Sequence, residues 1–175
     1  QAITIAKTQD RKLRDFQQKL ASLVFLDPAA GSGNFLTESY LSLRKLENET
    51  LSLLTHGQIQ LGIGDITPIK VNISQFYGIE INDFAVTVAR TALWIAENQM
   101  MKETEDIVHM SLDFLPLKTN ANIVEGNALT IDWNDVVDST RLSYCMGNPP
   151  FVGSSYCNAV QKQEIVDIFG KIKLS

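Results

Sequence analysis

The sequence predicts an α/β fold, a mostly parallel sheet with helices on both faces. Three observations carry this prediction. Short apolar runs of strand length alternate with longer segments of helical periodicity. The runs are almost continuously apolar, as in LVFLD, which suits strands buried on both faces. Finally, Asp27, Glu80, Asn127 and Asn148 each fall at or just beyond the end of a predicted strand. Open parallel sheets bind ligands in the crevice at those ends.

Residues 8–21 predict an N-terminal helix, with Leu13, Phe16, Gln17 and Leu20 at helical spacing. LVFLD (23–27) is the first strand, and PAAGSG follows as a tight loop. From Asn34 the pattern turns helical, with Leu36, Tyr40, Leu43 and Leu46 on one stripe, and runs into the fifties. Residues 57–74 hold Gly57, Gly62, Gly64 and Pro68 between β-like pieces, and read as an irregular, hairpin-like insertion. QFYGIEI (75–81) is the second strand. Asn82 then N-caps a helix through Met100, with Phe84, Val88, Ala92 and Ile95 sharing a face. The polar stretch 102–120 reads as loop. ANIVEGNAL holds a third short strand, LSYCM is the fourth, and a last amphipathic helix runs from Asn158 to Phe169. At 175 residues the chain is one domain, with a core over 22–156 and a closing helical segment over 157–175.

Hydrophobic content of 45% and charged content of 20% place the chain among soluble globular domains. No apolar run approaches the ~18 residues of a membrane span, and the first residues lack the apolar centre of a signal peptide. A net charge of −5 weighs against a stand-alone nucleic-acid binder. The basic cluster Lys7, Arg11, Lys12, Arg14 and Lys19 reads as a solvated helix face. Cys145, inside an apolar run, reads as a buried small hydrophobe. Cys145 and Cys157 form no CxxC pair, and His56 and His109 have no ligand cluster around them, so no metal is expected.

Each strand end carries its own chemistry. In DPAAGSGNF (27–35), Gly31 and Gly33 let backbone approach a ligand closely. A dinucleotide fingerprint would need a third glycine where Leu36 stands, and an acidic residue ~20 positions on; Glu80 lies 53 positions after Asp27. No GK[ST] follows, so this is not a nucleotide-triphosphate loop. An acidic residue at the head of the loop disfavours a pyrophosphate and suits a ligand with an amino group. In GIEI, Glu80 can accept hydrogen bonds from both hydroxyls of a ribose. In EGNAL, Asn127 can place an amide against an adenine edge, or can equally be a turn residue. GNPPF, by itself, reads as a strand stop and turn, because proline has no N–H for a ladder.

Taken together and in this order, the four pieces resemble the class I S-adenosylmethionine-dependent methyltransferases. More narrowly, they are similar to the DNA adenine-N6 methyltransferases with an asparagine-proline-proline-aromatic signature. The run FYGIEINDFAVTVARTALWIAENQM is similar to the methyltransferase part of large fused restriction–modification enzymes. The resemblance covers roughly residues 9–155. It implies a Rossmann-like class I methyltransferase fold, incomplete here, with about four of seven strands. It also implies S-adenosyl-L-methionine as cofactor. Asp27, Pro28, Ala29, Gly31, Gly33, Asn34 and Phe35 would hold its methionine part, Glu80 and Ile81 its ribose, and Asn127 with Ala128 its adenine. Asn148, Pro149, Pro150 and Phe151 would be catalytic.

The implied substrate is double-stranded DNA with an adenine flipped from the stack. The implied partners are fused or associated target-recognition and nuclease domains, in a cytoplasmic setting. Asn127 departs from the family's usual aspartate, and Ala30 from a frequent cysteine. An incomplete sheet would expose a strand edge, so a fragment of this length is expected to be inactive alone and prone to form a homo-dimer. Two other readings fit the same residues: a methyltransferase acting on RNA or on protein glutamine, and a non-catalytic cofactor-binding piece of a defence assembly. A nicotinamide-binding oxidoreductase is disfavoured by the missing third glycine.

Overall fold

The computed structural model describes residues 2–55, 69–109, 112, 121–149 and 156–170. Four strands make one sheet: β1 (Phe25–Asp27), β2 (Phe76–Glu80), β3 (Asn122–Glu125) and β4 (Tyr144–Cys145). Every pairing is parallel, and the order is β3-β2-β1-β4. The chain steps outward from β1 to β2 to β3, then returns to place β4 on the far side of β1. This reversal is the topological switch point at which open α/β sheets bind ligands. The register pairs Asp27 with Gly78 and Glu80 with Glu125, so β2 and β3 run two residues beyond β1. The sheet therefore has a step at its ligand-binding edge, with Asp27 at the foot.

Period-two alternation sorts the strand residues between two apolar clusters. Phe25, Phe76 and Ile123 face the larger one, with Leu36, Tyr40, Leu93 and Met100 from the helices. The Phe25 and Phe76 rings stack at 5.1 Å, and Tyr40 meets Phe76 edge-on at 5.6 Å. Val24, Leu26 and Ile79 face the smaller cluster, closed by Val137 with Ala128, Ile131, Val136 and Leu142. Helices α1 (Ala2–Ser22), α2 (Asn34–Thr55) and α3 (Asp83–Val108) pack on the first side, α2 lying along α3. Helix α4 (Ala159–Phe169) has none of its residues buried.

Several expectations need correction. Helix α1 begins at Ala2, earlier than residue 8, and Phe16 on its expected face is exposed while Gln17 is buried. Helix α3 runs past Met100 to Val108, through the start of the expected loop. Thr104 and Val108 continue its buried stripe at helical spacing, and the Thr104 hydroxyl bonds to Asn48 Oδ1 of α2 at 2.7 Å. The core face of α3 is Val86, Ala89, Leu93, Ala96 and Met100; Phe84 and Ile95, expected there, are exposed. In α2, Leu46 is exposed while its neighbour Glu47 is fully buried. Glu47 pairs with Arg44 and accepts from Gln17 Nε2 (2.8 Å) and from the Lys70 and Val71 N–H groups (2.7 and 3.2 Å). This carboxylate ties α1, α2 and the approach to β2 together.

Residues 57–68 of the expected insertion lie outside the described residues. From Ile69 onward the chain returns to the core, with Val71 buried and Asn72 capping a 3-10 turn over Ile73–Gln75. Cys145 is exposed, because β4 has a strand partner on one side only among the described residues. Among the described residues, no helix is long and apolar enough to cross a membrane.

Candidate functional site

A cavity of about 960 Å³ opens at the carboxyl ends of the strands. Its floor comes from the loop after β1 (Pro28, Ala29, Gly31), the end of β2 (Ile79, Glu80, Ile81) and the turn after β3 (Gly126, Asn127, Ala128, Leu129). Asn148 and Pro149 enter from beyond β4, and one face of α4 makes the opposite wall. The sheet order thus becomes a spatial order along the cavity: Asn148, the β1 loop, Glu80, Asn127. Neighbouring strands are ~4.8 Å apart, so the span is that of a small extended ligand.

Glu80 braces two backbone segments. Its Oε2 accepts from Gly31 N–H at 2.8 Å and its Oε1 from Asn82 N–H at 3.0 Å. The Glu80 carbonyl accepts from Gly126 N–H at 2.9 Å, and the Ile79 carbonyl from Ala30 N–H at 3.0 Å. The ends of β1, β2 and β3 are therefore locked to one another through β2. A carboxylate has about four acceptor sites, so Glu80 keeps capacity for a ligand's hydroxyls.

Asp27 lies just below the floor and is 1% exposed. Its Oδ1 accepts from Ala29 N–H at 3.0 Å. Burial pushes its carboxyl above the ordinary value of 3.8; the Ala29 hydrogen bond opposes this and the nearby Glu80 charge adds to it. Gly147 packs directly on this carboxylate, since a Cβ there would sit 2.4 Å from Asp27 Oδ1. Only a residue without a side chain lets the segment before Asn148 pass so close. Met146 N–H bonds to the Leu26 carbonyl at 2.9 Å, holding that segment along β1.

Asn127 and α4 meet across the cavity. Asn127 Oδ1 accepts from Leu129 N–H at 3.0 Å, which fixes the amide orientation, and Nδ2 donates to Glu164 Oε1 at 3.3 Å. Trp133 Nε1 donates to the Ala128 carbonyl at 2.8 Å and presents its ring to the cavity. Helix α4 starts at a reciprocal capping box between Asn158 and Gln161.

Of the residues expected at the site, the structure brings Pro28, Ala29, Gly31, Glu80, Ile81, Asn127, Ala128, Asn148 and Pro149 onto one cavity. Four others are off its wall. Asp27 is beneath it, Gly33 is buried against Ala89, and Asn34 and Phe35 are exposed at the start of α2. Pro150 and Phe151 lie outside the described residues. Sequence reasoning missed Leu129, Trp133 and the α4 wall. A tryptophan in the polar stretch around Asp132 was the available signal for Trp133. Gln161 and Glu164, one helical step apart, were the signal for α4.

Comparison with known proteins agrees with this architecture. DNA methyltransferase A of Bacillus subtilis (strain 168) is 41% identical over 165 residues, which cover 93% of this chain and 18% of that protein. A solved structure of the type IIL restriction-modification enzyme MmeI in complex with DNA superposes with a TM-score of 0.86 at 41% identity. That match covers 94% of this chain and 22% of the other. The chain thus spans about a fifth of the length of these relatives. The family model for the MmeI DNA-methyltransferase domain matches residues 3–175. By that match over nearly its whole length, the chain belongs to the MmeI DNA-methyltransferase domain family.

Proposed function

We propose that this domain transfers a methyl group from S-adenosyl-L-methionine to the exocyclic N6 amine of adenine in double-stranded DNA, within a restriction–modification enzyme. The observation that carries the proposal is the order of groups along one cavity. The β1 loop, Glu80 and Asn127 follow one another at successive strand ends, matching the amino-acid, ribose and base parts of a nucleoside sulfonium. Asn148 and Pro149 stand at the end where the methyl would be. The relatives' names add support: one is a DNA methyltransferase, the other a restriction–modification enzyme seen with DNA.

The residues present fit this cofactor. Glu80 keeps free acceptor capacity for a ribose diol. The buried Asp27 carboxylate places negative potential under the loop that would take the ammonium end. When bound, the cofactor supplies an electrophilic methyl on sulfur. The chain's own part is positioning and charge stabilisation. An exocyclic adenine amine is a poor nucleophile, because its lone pair is delocalised into the ring. Asn148 Oδ1 and the Pro149 carbonyl would accept the two amine hydrogens, favouring a tetrahedral nitrogen with an available lone pair. Pro149 offers its carbonyl on a backbone of fixed φ. Phe151, the aromatic of the signature, would stack on the flipped base.

The decisive experiment is a methyl-transfer assay with the full-length protein on duplex DNA, comparing wild type with Asn148→Ala. Asn148 is exposed, so the substitution is expected to leave stability within about 0.5 kcal/mol. Methyl transfer should fall by 10²-fold or more, on the order of losing one oxyanion-type contact. Unchanged transfer would remove Asn148 from the chemistry. Product analysis for N6-methyladenine tests the base directly.

A further inference from the structure

The cavity's base-proximal end presents an unexpected chemistry. Asn127 is the polar side chain of the floor there, and Leu129 N–H turns its Oδ1 inward by taking one of that oxygen's two acceptor positions. What it offers outward is an amide donor. A purine that carries a 6-amino group needs the opposite, an acceptor. Among the described residues lining the cavity, only Glu80 and Glu164 are acidic. Glu80 is engaged with the β1 loop and with Asn82. Glu164 reaches in from α4, is half-buried, and touches Asn127 Nδ2 at 3.3 Å. That contact uses one of about four acceptor sites on a carboxylate.

We propose that Glu164 is the residue that reads the 6-amino group of the cofactor's purine, with Asn127 serving to position it. The inference rests on the cofactor assignment made above and assigns α4 a role in it. Asn127 holds one carboxylate oxygen through its amide donor. The remaining lone pairs of Glu164 accept from the purine amine. A 6-oxo purine presents an acceptor at that place, and two acceptors repel, so the pair discriminates between amino and oxo bases. The device also explains how a neutral Asn127 suffices at the turn after β3: the negative charge comes from the opposite wall.

The test is calorimetric titration of the full-length protein with S-adenosylhomocysteine and with its hypoxanthine analogue, which carries a 6-oxo group in place of the amine. Wild type should favour the amino compound by about tenfold or more, the scale of one charge-assisted hydrogen bond. Glu164→Ala should bring the two affinities within about threefold, chiefly by weakening the amino compound. Glu164→Gln, whose amide can turn either face, should also lose the preference while keeping the helix surface. Thermal melts of each variant without ligand separate this effect from loss of folding, since Glu164 sits on a helix with no buried residue. A wild-type preference that persists in both folded variants would overturn the role of Glu164 and leave the cofactor assignment standing. Failure of folded wild type to bind the amino compound would overturn the cofactor assignment, and this inference with it.

Discussion

Burial of the Asp27 carboxyl raises its pKa, so the native state binds that proton more tightly than the unfolded chain does. Stability contributed at this residue therefore falls as pH rises from the ordinary carboxylate value through the raised native one, and the deficit is complete above it. Asp27→Asn is expected to gain stability over that window and hold the gain at neutral pH. A rise of a few degrees in Tm is the scale, at about 2–4 °C per kcal/mol for a chain of this size. The same substitution should weaken S-adenosylhomocysteine binding, which calorimetry reads separately. Gly147 is coupled to it. Gly147→Ala places a methyl 2.4 Å from Asp27 Oδ1 and should destabilise by about 1–3 kcal/mol, the usual range for overpacking. In an Asp27→Ala background that penalty should shrink, so urea titrations of the four proteins in the cycle measure the contact.

At the scale of elements, the strands were legible, as was the α2 stripe through Leu36, Tyr40 and Leu43, while the face of α3 was not. LVFLD and QFYGIEI announce themselves because a short apolar run closed by Pro, Gly or Asn has few other solutions. Up to Met100, helix α3 offers apolar residues on more than one face, with Phe84, Trp94 and Ile95 competing with Val86, Leu93 and Met100. Its orientation is settled by partners far away in sequence. Small residues decide it: Gly33, at φ 79°, packs so closely that a Cβ would lie 2.9 Å from Ala89 Cβ. An unstrained glycine-to-alanine exchange stabilises by up to ~1 kcal/mol; at this positive φ and close contact Gly33→Ala should instead destabilise by more than that amount, as a denaturant midpoint would show. Glu47 was illegible for a related reason, since Leu46 beside it is the natural choice for a core. Besides Arg44 one turn away on the same helix, its burial needs three partners, Gln17, Lys70 and Val71, that only tertiary structure supplies. Removing one side of a buried ion pair typically costs 3–5 kcal/mol, and Glu47→Ala is expected in that range by the same measurement. The site divides the same way. Asn148, Glu80 and Asn127 could be named because each sits at a strand end. The α4 wall was harder: Gln161 and Glu164 mark one polar face of that helix, but nothing local says that a helix following β4 folds back over the cavity.

At the scale of the molecule, the cavity joins five segments: three strand ends, the Asn148 segment and α4. A ligand that touches all five binds the folded domain and not the unfolded chain. S-adenosylhomocysteine at 100 times its Kd should add about 2.7 kcal/mol to the domain's stability. That corresponds to roughly 5–10 °C in its unfolding transition by the same per-residue scale, readable by scanning calorimetry. Net charge of −5 gives the domain no general attraction for a polyanion. Of its basic residues, Lys7, Arg11, Lys12, Arg14 and Lys19 are exposed on α1.

The pairing of β4 with β1 also has a history in time. Val24 N–H bonds to Ser143 Oγ at 3.1 Å across 119 positions of chain. A ribosome adding about 5–20 residues per second needs roughly 6–24 s to make that stretch. For that interval the newborn β1 has one open flank, while β2 and β3 can already be laid down on the other. The part of the sheet that carries Glu80 and Asn127 can thus assemble during translation before the Asn148 segment exists. Synthesis order alone separates the β1–β2–β3 edge of the cavity from its Asn148 end and from the α4 wall, which are made last.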